Sequence, residues 1–483
     1  MRLLLAYHNP SREMTPAPPV GMACIATAAA AAGHEVAFCD LTLSSRPLRA
    51  LARALARHRP EVVGFSVRNI DNVVRQRAAR ELDAQRELLA AVRAWGPARI
   101  VVGGPAVSLL GAQVLTRLDA DFAVIGEGEE TVPELLAALG EGRSPATVAG
   151  IAWRDAAGLH ATPPRPRAVF GASGLESWID WRPYERRGHT WPIQTKRGCP
   201  YGCSYCGYPL LEGAAIRRRD PVEVVDEIAR VARRWRPRTF EIIDSVLNEP
   251  PGHLLALCRE LARRRLGVEL TALGLSPRHT DEELFAALRA AGFRSLMLSP
   301  ESASPRMLAA MHKGFDRADL DRTAALARAS GLDCCCFFLL GAPGENRETV
   351  EETLAFIERE LTSRRFFTIV FTGIRLLPGA PLTRAEQAAG RLAPDHDFTE
   401  PTFYLSPELD EAWTLRRINQ TIARQPNVVH AAEGEVAAWQ RLLEGVAFRL
   451  GFRPPVWRLY PRLLSFPPLA WLRRRSPEVG APA

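Results

Sequence analysis

Short apolar runs alternate with helix-length amphipathic stretches along most of the chain. In the first 150 residues the runs are Leu3–Tyr7, Val36–Asp40, Val62–Ser66, Ile100–Gly104 and Phe122–Gly126. The segments between them are rich in Ala, Leu and Arg; Gly33 ends the first and Pro133 opens the last. Runs that are apolar throughout, joined by helices, predict a parallel, doubly wound α/β sheet. A second series runs through Ile193–Arg197, Thr239–Asp244, Val268–Leu273, Leu296–Pro300, Asp333–Gly341 and Phe367–Ile374. Helical stretches such as Pro221–Trp235, Asp281–Ala291 and Asn346–Leu361 fall between these runs. Six such units predict an open or partial (β/α)6 barrel. In both architectures ligands meet the carboxyl ends of the strands.

Between the two series, Thr162-Pro163-Pro164-Arg165-Pro166-Arg167 can continue neither a helix nor a central strand. Trp153, Trp178, Trp181 and Trp191 nevertheless give this stretch surface to pack with. After residue 400 the pattern turns helical, then rich in Pro and Arg. The expected organisation is a sheet domain over 1–150, a linker over 151–190, a barrel over 191–400 and a helical region over 401–483.

Composition narrows the setting. The 483 residues are 47% hydrophobic and 24% charged, as in ordinary globular proteins. The longest apolar stretches, such as Ala23–Ala32, fall far short of the ~20 residues of a membrane span. Leu3–Tyr7 is too short for a signal-peptide core, so a cytoplasmic protein is expected. The net charge of +8 comes nearly all from Arg449, Arg453, Arg458, Arg462, Arg473, Arg474 and Arg475, which argues against a nucleic-acid surface. That tail could touch a membrane or an anionic substrate. Its prolines break an amphipathic helix, which favours a packed cap. Lys196 and Lys313 are the two lysines of the chain.

Three of nine cysteines form C-x3-C-x2-C: Cys199-Pro-Tyr-Gly-Cys203-Ser-Tyr-Cys206. An odd count in a chain of this size argues against a disulfide scaffold. Three soft thiolates on one loop suit iron–sulfur ligation, with one iron of a [4Fe–4S] cluster left open. Zinc and a fully ligated electron-transfer cluster both lack a fourth ligand of suitable spacing. Cys334-Cys335-Cys336 alternate across a strand and read as core.

These residues resemble the signature of the radical S-adenosylmethionine enzymes, with Tyr205 as the aromatic before the last Cys. The resemblance implies that the open iron binds S-adenosylmethionine, which reduction cleaves to a 5′-deoxyadenosyl radical. It assigns cofactor contacts to Asp244 and Asn248 at the second strand end and to Glu301 in Pro300-Glu301-Ser302. Gly341 and Gly344, in Gly341-Ala342-Pro343-Gly344-Glu345, are assigned an approach to the adenine. Lys313-Gly314 matches the family's downstream Lys-Gly. Ser299-Pro300 stands where relatives usually carry Gly and an aliphatic residue.

In the first series, chemistry falls at Ser66-Val67-Arg68-Asn69, Gly103-Gly104 and Gly126-Glu127-Gly128. No phosphate-binding glycine motif follows the first strand. Read alone, this is a flavodoxin-like (Rossmann-type) sheet with an unknown ligand. Placed before the cysteine triad, it resembles the cobalamin-binding domain of class B radical enzymes. Ser66, Gly103 and Gly104 would line the nucleotide-tail channel, with Gly126, Glu127 and Gly128 beside it. The D-x-H-x-x-G motif is absent, so Arg68 and Asn69 would lie at the lower face of cobalt, and His8 lacks the context of a ligand.

The resemblance implies methyl transfer to an unactivated carbon, or to phosphorus, of a small-molecule substrate. One S-adenosylmethionine would methylate cobalt(I); a second would give the radical that removes a substrate hydrogen. A flavodoxin or ferredoxin would supply electrons. Radical cyclisation or rearrangement without methyl transfer, and a non-catalytic cobalamin or redox sensor, are the competing readings.

Overall fold

The computed structural model describes residues 1–10, 17–433 and 438–464. The first sheet has strands β1 (Arg2–Tyr7), β2 (Glu35–Asp40), β3 (Val62–Ser66), β4 (Arg99–Gly103), β5 (Phe122–Val124), β6 (Ile151–Asp155) and β7 (Gly158–Ala161). Their order is β2-β1-β3-β4-β5-β6-β7, with the first five parallel and β6 and β7 added antiparallel. The near-continuous apolar strands are buried between helices on both faces, as a parallel sheet requires.

The expected start of the linker at 151 is therefore corrected. Residues 151–161 are a hairpin on the edge of the first sheet, and Trp153 stacks on His160 across it with centroids 4.9 Å apart. A four- to five-residue hairpin arm is too short to give a clear alternating pattern. The Pro-rich stretch follows it. Trp181 and Trp191 then seal against one another, 4.8 Å between centroids, and Trp178 donates through Nε1 to Thr27 Oγ1 at 2.9 Å.

The second sheet begins with β8 (Trp191–Ile193). A short pair, β9 (Lys196–Arg197) and β10 (Arg217–Arg218), stands above it. The sheet continues with β11 (Phe240–Ile242), β12 (Leu270–Leu275), β13 (Phe293–Glu301), β14 (Asp333–Leu340) and β15 (Phe366–Thr372). After another short pair, β16 (Ile374–Arg375) and β17 (Phe403–Tyr404), it ends with β18 (Val428–His430). The main strands lie side by side in chain order and all neighbours are parallel, which makes an open barrel wall. Its seventh strand, β18, lies past the expected boundary at 400; three residues of Val-Val-His inside a helical region carry too little pattern to announce a strand.

Helices Pro221–Arg234, Pro251–Arg264, Glu282–Ala291, Arg317–Ser330 and Arg347–Glu360 cover the outer face. All but Pro251–Arg264 start at an Asp or Asn whose side chain takes a free N–H of the first turn. Asp316 and Asn346 both form reciprocal capping boxes. Cys335 packs with Phe367 and Trp457, and Asp333 takes Arg458 and Arg462. The described part of the tail is thus a packed cap on the barrel. Phe466, Trp471 and Arg473–Arg475 lie outside the described residues. No helix among the described residues is long and apolar enough to cross a membrane.

Candidate functional site

The carboxyl ends of the two sheets face each other. Val67 and Ile70 after β3, and Ala106 and Leu110 after β4, share one apolar core with Met307, Met311, Ala342, Ile374 and Leu376. A sealed ion pair crosses the seam: Arg375 Nε lies 2.6 Å from Asp71 Oδ2, with side chains 3% and 1% exposed. The remaining guanidinium protons go to the carbonyls of Leu376, Thr402 and Phe398.

The cysteine loop springs from β9 into this seam. Gly198 turns it at φ 101°, where a Cβ would stand 2.3 Å from the Ala215 carbonyl, so this position needs glycine. Gly198 N donates to Glu212 Oε2 at 3.0 Å, and Cys199 N to Gly213 O at 3.0 Å. Farther along, Ser204 N reaches Met311 O and Leu382 N reaches Ser204 O, at 3.1 and 2.7 Å. Cys199, Cys203 and Cys206 are free thiols, and the Tyr208 N–H donates to Cys206 Sγ at 3.5 Å. Burial pushes all three thiols up, that of Cys206 to about 12, and the Lys313 charge opposes this at each. Among the described residues no three His, Cys, Asp or Glu side chains are gathered as a single metal ion would need. A cubane cluster instead takes one thiolate per iron and wants its thiolates apart, so the soft three-donor loop fits a cluster better than zinc.

Tyr205 and Glu301, far apart in sequence, come together beside the loop. Tyr205 donates through its hydroxyl to Glu301 Oε1 at 2.9 Å, and Lys313 Nζ lies 3.0 Å from that hydroxyl and 3.7 Å from the carboxylate. Glu301 ends β13 at φ 66°, a left-handed conformation that is costly for a glutamate and is held here by its neighbours. Lys313 also lies over the rings of Tyr205 and Phe315. The sequence matches Lys313 to the family's downstream Lys-Gly, and its rarity among 62 basic residues singles it out, but its partners become visible only in the fold.

Five residues expected to contact a cofactor have neighbours within the chain. Asp244 is sealed: it accepts Thr195 N, Thr195 Oγ1, Lys196 N and Lys196 Nζ at 2.8, 2.6, 3.2 and 2.7 Å. Asn248 spends its amide on Ser276 O and Arg278 O and its oxygen on Ser276 N, which ties the ends of β11 and β12 together. Glu127 pairs with Arg217 and Arg197, while Glu129 pairs with Arg197 at 2.7 Å, so both fasten the first domain to the cysteine loop's base. Gly341 makes room for its own chain, since a Cβ there would meet Leu405 at 2.7 Å. Its N–H and that of Ala342 go to Glu345, whose carboxyl is raised to about 7 by burial. Gly344 faces Arg306, whose guanidinium would lie 3.2 Å from a Cβ at that position.

In the first domain, Gly104 is tucked under the loop after β3: a Cβ there would lie 2.7 Å from Val67 O and 2.9 Å from Ser66 Oγ. Gly103 has nothing nearer than Val124, at 3.7 Å, and Gly126 opens on empty space. Gly128 instead lets Ile25 approach. Ser66, Gly103, Gly104 and Gly126 thus stand together at the carboxyl ends of β3, β4 and β5. Arg68 is exposed beside half-buried Asn69, and its charge acts on Tyr7, Tyr208 and Glu241. It stands in the cleft between the domains. His8 sits at the end of β1 with Nδ1 buried and unpartnered, and burial lowers its pKa.

The Radical SAM superfamily model matches residues 193–357, and the B12 binding domain model matches residues 15–136. The chain is 28% identical over 453 residues to the tryptophan 2-C-methyltransferase of Streptomyces laurentii, covering 80% of this chain and 75% of that one. It is 28% identical over 366 residues to an anaerobic magnesium-protoporphyrin IX monomethyl ester cyclase of Rubrivivax gelatinosus, covering 72% and 63%. The structure of the radical S-adenosylmethionine methyltransferase TsrM from Kitasatospora setae, with cobalamin and a [4Fe-4S] cluster bound, superposes with a TM-score of 0.81. That match has 26% identity and covers 95% of this chain and 97% of the other.

Proposed function

The chain is a B12-binding, methylase-like radical S-adenosylmethionine enzyme, and from that premise we propose that it moves a methyl group from S-adenosylmethionine to an unactivated carbon of a small molecule. The observation that carries this reading is the meeting of the two sheets' carboxyl ends, with the cysteine loop on one side of the seam and the strand ends at Ser66 and Gly103 on the other. Carbon is favoured over phosphorus because the C-methyltransferase aligns across 80% of the chain.

Cys199, Cys203 and Cys206 would hold a [4Fe–4S] cluster, and Ser66, Gly103, Gly104 and Gly126 would border cobalamin. When bound, the cluster passes an electron to S-adenosylmethionine and cobalamin carries the methyl group. The protein's own part is positional and electrostatic. Lys313 puts one fixed positive charge beside three thiolates, which lowers the cost of holding them ionised. Tyr205 and Lys313 fix the Glu301 carboxylate so that its other oxygen stays free to accept a hydrogen bond from S-adenosylmethionine. Arg68 and Asn69 would meet the lower face of cobalamin, where a guanidinium cannot donate a lone pair to the metal. Free cysteines and an air-sensitive donor set suit a reducing, cytoplasmic setting, and an electron donor such as flavodoxin or ferredoxin completes it.

The test uses anaerobically reconstituted, cobalamin-loaded protein and S-adenosylmethionine labelled in its methyl group. Label should pass to the protein-bound cobalamin and be released by light. Cleavage of S-adenosylmethionine with no label ever reaching cobalamin would favour cyclisation or rearrangement instead.

A further inference from the structure

The inner wall of the barrel is a chamber whose lining is only partly packed. Along β13, β14 and β15 the residues facing the helices are sealed: Leu296, Leu298, Phe338, Leu340 and Val370 are at most 2% exposed. Their alternates Met297, Ser299, Phe337, Leu339, Ile369 and Phe371 face inward and are all partly accessible. Strand alternation sends neighbouring side chains to opposite faces, so this accessibility belongs to one interior surface. Cys335, Phe367 and Trp457 close its floor, and the Phe337 and Phe371 rings lie 6.5 Å apart on its wall.

A carboxylate without an ion-pair partner among the described residues lies on this lining. On β11, Phe240 and Ile242 are sealed outward and Glu241 between them faces in. Its carboxylate accepts one hydrogen bond, from Thr190 Oγ1 at 2.9 Å, and no cationic nitrogen pairs with it among the described residues. Burial raises it to about 7, with the Thr190 bond and the Arg68 charge opposing. A buried carboxylate with spare acceptor capacity and no paired cation is costly, and a ligand N–H would offset that cost.

We propose that this chamber takes a substrate with an apolar, ring-bearing body and a basic or N–H nitrogen, and that Glu241 is the residue that selects the nitrogen. The role as a substrate site rests on the methyl-transfer reading above; the selection of a nitrogen rests on the chamber alone.

The experiment is calorimetric titration of the full chain with tryptamine and with indole-3-propionate, which share a ring system and differ in charge. Tryptamine should bind more tightly by about tenfold or more, the range of a charge-assisted hydrogen bond. Glu241→Gln keeps the bond to Thr190 and the size of the side chain. It should unfold at the wild-type temperature and lose the preference. Equal affinity for the two probes, binding of neither, or an unchanged preference in a folded Glu241→Gln protein would overturn the proposal. No turnover is needed. Loss of the labelled-methyl result with the tryptamine preference intact would remove the reaction and leave the chamber's selectivity. The opposite pair of results would do the reverse.

Discussion

Replacing Lys196 by methionine should destabilise the barrel. Lys196 Nζ lies 2.7 Å from Asp244 Oδ2 and 2.8 Å from Leu247 O, with the two side chains 2% and 0% exposed. Removing the ammonium leaves a carboxylate in the interior without a countercharge. Breaking one side of such a pair costs about 3–5 kcal/mol. Asp244 keeps three other donors, from Thr195 N, Thr195 Oγ1 and Lys196 N, which places the cost near the low end, about 3 kcal/mol. At about 2–4 °C per kcal/mol for a domain of this size, the midpoint should fall by about 6–12 °C. Differential scanning calorimetry of the full chain reads this. The control is Arg259→Met, which breaks an exposed pair with Glu283 and should move the midpoint by less than about 2 °C. A Lys196→Met midpoint within that same margin would refute the structural role. So would an Asp244→Asn protein of normal stability that fails to bind S-adenosylmethionine, which would return Asp244 to the cofactor.

Further outcomes follow from single features. Cys335→Ser puts a hydroxyl against Phe367 and Trp457 and should lower the melting temperature while leaving iron content unchanged, as measured by calorimetry and iron assay. His189, His253 and His430 are held near a pKa of about 4 by burial, with Lys196 adding to the effect at His253. Their folded pKa values lie below the unfolded one, so they contribute stability above pH 6.5 that is lost as pH falls toward 4; melting scans across that window should show it. The bound Co(II) form should give a paramagnetic resonance spectrum without nitrogen splitting from an axial base. Splitting that disappears in a His8 variant would instead show His8 to be a ligand.

The positions of most strands along the chain were legible because each was apolar enough to be buried on both faces. What escaped were the short pieces: the hairpin at 151–161 and the three-residue β18 are too brief to show a period. At the site, the cysteine loop was readable from spacing, since local chain geometry brings its thiols together. Asp244, Asn248 and Glu127 were placed correctly at strand ends, yet their partners come from distant segments that no local pattern announces. Position at a strand end therefore distinguishes a ligand contact from a buried tie only once the partner is known. Glu241 follows the same rule: its hydrogen bond to Thr190 and its lack of a paired cation among the described residues depend on the fold, and no local pattern announces them.

The central claim is that one chain holds both groups at facing strand ends. Metal and cobalamin analysis of full-length protein, reconstituted without oxygen, tests it most directly against a variant with Cys199, Cys203 and Cys206 all changed to Ala. The wild type should hold about four irons and a stoichiometric cobalamin, and the triple variant should lose the iron and keep the cobalamin. A full iron complement in the triple variant, or full-length protein that retains no cobalamin when purified in its excess, would contradict it.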